Sequence, residues 1–160
     1  MKIMSKQRQH ILVINPNSDE MVTENMAQEL KRFNFSEGPR IECVTLSDGP
    51  LGIESQADIE SVTIPLTKMV SKRKEVGAFV IACYSDPGLH VCREASEKPV
   101  FGIQECGILT AMSRGDRFGV IALQESSMRR HLRYMRQIGV MERLAGERVA
   151  ELSVRESVSG

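Results

Sequence analysis

The chain has 160 residues, with 21 Lys and Arg balanced by 21 Asp and Glu, 3 His, 4 Cys and no Trp. That length supports one globular core and excludes two full α/β domains, and 41% apolar with 26% charged residues excludes a disordered or fibrous chain. Zero net charge removes the electrostatic basis for a nucleic-acid or membrane-surface partner.

The elements alternate strand and helix. His10–Ile14 is a short apolar strand, stopped by Asn15-Pro16-Asn17-Ser18, a turn cluster and helix N-cap in one. Val22, Met26, Leu30 and Phe33 then recur at helical spacing, so 19–33 is an amphipathic helix. Arg40–Leu46 is the second strand. Residues 51–58 form a loop into a helix bearing Ile59, Val62, Leu66, Met69 and Val70, where Pro65 marks either a kink or a restart. Gly77–Cys83 is apolar throughout, as a central parallel strand should be. Asp86-Pro87 reads as an N-cap and first turn of a helix reaching Ala95. Pro99–Ile103 is a strand, Glu105–Ser113 a helix, Arg117–Leu123 a strand, and 126–138 a helix with Met128, Leu132, Met135 and Ile138 as its stripe. Val149–Val154 is a weak extended stretch in a polar tail. This rhythm predicts an α/β fold: an open parallel sheet with helices on both faces and right-handed crossovers.

No targeting segment is expected, because Ile11–Ile14 is too short for a signal-peptide core or a membrane span. The chain therefore reads as cytoplasmic, with Cys43, Cys83, Cys92 and Cys106 as reduced thiols. No CxxC and no zinc-finger spacing occurs, so no metal site is expected. Neither is a phosphate-binding glycine loop. His131 lies in a basic helical stretch with Arg129, Arg130, Arg133 and Arg136, which reads as a solvated face or subunit contact.

Ligands of open α/β sheets bind outside the carboxyl ends of the strands. Three loops there draw notice: 15–18, 83–87 and 103–105. Cys83 stands at the end of the central strand beside an expected helix start, where the dipole would lower a thiol's pKa. A buried strand cysteine acting as a small hydrophobe is the competing reading.

Four segments together, I-N-P-N-S (14–18), G-P-L-G-I-E-S-Q-A-D (49–58), A-C-Y-S-D-P-G-L (82–89) and P-V-F-G-I-Q-E (99–105), resemble the Asp/Glu/hydantoin racemase family, its hydantoin and allantoin branch above all. The resemblance implies a cofactor-independent isomerase with two pseudo-symmetric, Rossmann-like α/β lobes, each contributing a cysteine to opposite faces of the substrate carbon. Inversion needs an acid and a base on the two faces, which is why two thiols recur. Cys83 matches the first-lobe cysteine. Asn15, Asn17, Ser18, Tyr84, Ser85 and Asp86 match polar loops that bind the substrate, and Glu105 the acidic position after the fourth strand. A small-molecule substrate such as a hydantoin, ureide or amino acid is implied, with no nucleic acid and no membrane; homo-oligomerisation stays open.

No cysteine follows Cys106 and no Gly-Cys pair occurs, so nothing matches the second-lobe cysteine. Residues 1–114 are thus expected as a first lobe and 115–160 as the opening of an incomplete, truncated second lobe with impaired activity. Phe118, Val120 and Ile121 would leave exposed apolar surface there. The alternative is a non-catalytic α/β module that binds small molecules or dimerises.

Overall fold

The computed structural model describes residues 9–158. The elements are β1 (His10–Asn15), α1 (Glu20–Leu30), β2 (Arg40–Thr45), α2 (Gln56–Lys72), β3 (Ala78–Ile81), α3 (Leu89–Ala95), β4 (Val100–Gly102), α4 (Ile103–Arg114), β5 (Phe118–Ala122), α5 (Glu125–Gln137) and β6 (Leu144–Val149). Four parallel strands form one sheet in the order β2-β1-β3-β4, and β5 and β6 pair in parallel as a second. The expected α/β architecture, a parallel sheet flanked by helices, is what the chain adopts.

Register explains the core. Leu12 pairs with Phe79 and Ile14 with Ile81, so the period-two alternation turns all four side chains to one face. There they meet Val62, Leu66 and Val70 of α2 and Leu89 and Cys92 of α3. Each such side chain contributes about 1.5–3 kcal/mol on burial. A separate cluster joins Ile108 of α4, Phe118 and Val120 of β5 and Met135 of α5.

Several expectations need correction. α1 stops at Leu30 and tightens into a 3-10 turn over Lys31–Phe33, leaving Phe33 exposed rather than on the buried stripe. α2 does not restart at Pro65 but runs as one helix through it. It begins at Gln56, where Ser55 and Asp58 form a reciprocal capping box: Ser55 N–H donates to Asp58 Oδ2 at 2.7 Å and Asp58 N–H to Ser55 Oγ at 3.1 Å. The buried Val62–Leu66–Val70 stripe holds the helix together across the one backbone donor that Pro65 lacks. α3 begins at Leu89, after Gly88 in left-handed conformation, and not at Asp86. The last strand is Leu144–Val149, ahead of the extended stretch expected at 149–154. Its Gly146, Glu147 and Arg148 hide the alternation. Phe118 and Val120 are buried, so of the three apolar residues expected at the surface only Ile121 is exposed, at 78%. His131 is buried at 4% exposure and paired with Glu147 of β6, not solvated.

Candidate active site

The loops after β1 and β3 face the start of α5 across a cavity of about 200 Å³. Asn15, Pro16 and Asn17 line one wall and Cys83, Tyr84 and Ser85 the next. Gln124, Ser127, Arg130 and His131 line the α5 side, and Ile53 and Glu54 the approach from α2. Ser127, Arg130 and His131 share one helix face because they are three and four residues apart.

The loop after β1 is rigid by its own hydrogen bonds. Asn15 Nδ2 reaches Asn17 Oδ1 at 2.7 Å, Thr23 Oγ1 at 3.0 Å and the Asp19 carbonyl at 3.1 Å. Asn15 Oδ1 accepts from Asn17 N–H at 3.2 Å, so Asn15 is a brace for the loop. Asn17 Oδ1 also accepts from Asp19 N–H at 3.0 Å, which leaves Asn17 Nδ2 as the loop's side-chain donor for the cavity. Ser18 does not line the cavity: its N–H donates to the Pro50 carbonyl at 2.9 Å, and the N-cap of α1 is Asp19 instead.

Asp86 and Glu105 also stay outside the lining. Asp86 lies in left-handed conformation, φ 42°, and its carboxylate takes the N–H of Gln104 at 2.9 Å and of Glu105 at 2.8 Å. It therefore caps α4, eighteen residues away, rather than its own helix. Glu105 pairs with Arg93 through Oε1 at 3.2 Å and Oε2 at 2.5 Å. The sequence reading missed Arg130, His131 and Glu54, since nothing local marks a residue whose cavity face is created by a distant loop.

Cys83 is half-buried as a residue, yet its thiol lies in a desolvated setting. Burial pushes the thiol up to about 12; hydrogen bonds from Ser85 and the Arg130 charge oppose this, and Asp86 adds to it. The expected lowering by a helix N-terminus fails because α3 starts six residues further on. Iodoacetamide should therefore label Cys83 slowly near neutral pH, its rate climbing about tenfold per pH unit beyond pH 9. Peptide-resolved mass spectrometry reads this directly. A plateau below pH 9 would show a thiolate stabilised by something other than these neighbours.

Burial also raises the Asp86 carboxyl, to about 6, against the pull of its two N–H bonds. A folded-state value above the ordinary carboxylate range stabilises the fold at low pH, and that share fades as pH rises through about 6. Asp86→Asn keeps the shape but sets an amide NH₂ against one backbone donor, costing about 1–3 kcal/mol at pH 7. In urea unfolding the gap between wild type and variant should widen as pH falls from 7 to 5. A narrowing gap would mean the N–H bonds outweigh burial.

Among the described residues no helix is long and apolar enough to cross a membrane, and no His, Cys, Asp and Glu group could hold a metal ion. The fold and site together define an open α/β protein with a thiol in one of two polar loops that line a cavity at the carboxyl edge of its sheet. The chain belongs to the Asp/Glu/hydantoin racemase family, whose model matches residues 11–160. It is 33% identical over 148 residues to a hydantoin racemase of Paenarthrobacter aurescens, covering 90% of this chain and 62% of that one. A hydantoin racemase of Pseudomonas sp. (strain NS671) is 40% identical over 116 residues, covering 71% and 46%. An allantoin racemase from Klebsiella pneumoniae superposes with a TM-score of 0.88 at 27% identity, covering 95% of this chain and 62% of that one. The chain thus spans between about half and two-thirds of the length of these relatives.

Proposed function

We propose that this protein acts without a cofactor at the carbon α to a carbonyl of a hydantoin- or allantoin-type ring, with Cys83 as the base on one face. The observation that carries this reading is the place of Cys83 in the wall of a cavity that Asn17 and Ser85 also line. In the proposed step Cys83, as thiolate, takes the α-proton. The electron pair moves into the carbonyl, and hydrogen-bond donors of the two loops receive the developing oxyanion charge. A thiol of high pKa is scarce as thiolate but correspondingly strong as a base, which suits a weakly acidic carbon.

The 160 residues hold no thiol beyond Cys106, and Cys106 lies in the first turn of α4, outside the cavity lining. In this chain Cys83 therefore returns solvent deuterium to the face it deprotonates faster than any group delivers it to the other. Incubating one enantiomer of a 5-substituted hydantoin in deuterated water tests this, with NMR following α-deuteration and polarimetry following inversion. Deuteration that outruns inversion is the expected result. Deuteration no faster than in buffer would overturn the reading.

A further inference from the structure

The cavity holds a cation that the fold leaves without a counter-ion. Arg130 reaches it half-buried from α5. Its Nη1 donates to the Ser126 carbonyl at 3.1 Å and its Nη2 to the Ser127 hydroxyl at 3.0 Å, both on its own helix. Nε is buried with no acceptor. Two of its five N–H donors are thus engaged, and two on the terminal nitrogens stay open. Among the described residues it forms no ion pair.

The neighbouring charges do not fill the gap. Asp58 acts on Arg130 only through space, its Oδ2 being already engaged by the N–H groups of Glu54 and Ser55 and by the Ser55 hydroxyl. Arg133, on the same helix, repels it and turns instead to Gln56. Glu54 lines the cavity from the α2 side, with Oε1 accepting the Val154 N–H at 3.3 Å. Burial disfavours the charged guanidinium, while the nearby Cys83 as thiolate would favour it. A desolvated cation without a partner is a standing cost that an incoming anion relieves. Apolar side chains such as Ile53, Leu123 and Val154 make up much of the remaining wall, so Arg130 decides where a charged end can go.

We propose that Arg130 is the anion-binding residue of this cavity, and that the preferred substrate is a ring ureide whose substituent at the reacting carbon ends in a carboxylate. This rests on the racemase reading of the same site. The planar guanidinium matches a carboxylate through two parallel N–H bonds. A carboxylate is fully ionised at neutral pH, whereas a ring imide is largely protonated, which favours the substituent over the ring as the source of charge.

Calorimetric titration of the full chain with racemic ligands tests the proposal, since turnover of a racemate releases no net heat. The pair is hydantoin-5-propionic acid and the uncharged 5-propylhydantoin. At pH 7 wild type should bind the acid at least about tenfold more tightly, the range of a charged hydrogen bond. Arg130→Gln should bring that ratio to about one, and Arg130→Lys should keep part of it. Thermal melts establish that both variants fold. An undiminished preference in Arg130→Gln overturns the proposal. So does an affinity for both ligands alike that grows toward pH 9 and disappears on N3-methylation, because the ring imide is then the anion recognised. Failure of wild type to bind either ligand overturns it too. Deuteration of 5-propylhydantoin judges the racemase reading separately, so the two can fail independently.

Discussion

Replacing Cys83 with serine should lower α-proton exchange by about 10²–10⁴-fold or more, the range for losing a positioned proton-transfer group. Serine keeps the volume but its hydroxyl is a far weaker acid, so almost no alkoxide forms to act as base. Because Cys83 packs at the margin of the main core rather than within it, the melting temperature should change little. Cys43→Ser and Cys106→Ser are the comparators: neither residue lines the cavity, and both should leave exchange intact. Wild-type exchange should also rise about tenfold per pH unit through the neutral range, following the thiolate fraction of a group near 12. Deuterium incorporation by NMR across pH 6–9 measures both effects. Exchange that survives Cys83→Ser would assign the base elsewhere, with His131, held through Nδ1 by Glu147, first in line.

The second large effect belongs to Gly102. A Cβ there would stand 2.2–2.5 Å from the carboxyl atoms of Asp86. Asp86 cannot swing aside without dropping the two N–H bonds that cap α4. Gly102→Ala should therefore cost roughly 2–5 kcal/mol, overpacking and a lost helix cap together. For a chain of this size that lowers the melting temperature on the order of 10 °C. The double variant Gly102→Ala with Asp86→Ala removes the collision, so its cost should fall well below the sum of the single costs. Simple additivity in thermal or urea unfolding would show that the two residues do not meet.

Much of this was legible because its cause is local. The unbroken run G-A-F-V-I-A-C marked β3 as an interior strand, and Phe79 and Ile81 are fully buried there. The turn clusters at 15–18 and 83–87 placed Cys83, Asn17 and Ser85 at the strand ends where the cavity lies. What was hidden depends on distance along the chain. Asp86 followed by proline has the pattern of an N-cap, and a cap it is, but for a helix eighteen residues on. Arg130 and His131 sit in a stretch so basic that solvation was the natural reading, until Glu147 and the β3 loop closed over that face. Pro65 has the look of a break, which a buried stripe on the rest of α2 overrides.

The buried residues of the two apolar clusters do not interleave along the chain. Those of the first lie between Leu12 and Val100 and those of the second between Ile108 and Met135, with Tyr84 alone reaching from the β3 loop to the second cluster. As the polypeptide leaves the ribosome, the four-stranded sheet can consolidate before β6 has been synthesised, because domains form as units from the amino-terminal side. The thiol at residue 83 would then be open to oxidants until α5 arrives to cover it. Translation speed over the next fifty residues thus becomes a determinant of how much of the protein reaches its mature form with that sulfur intact.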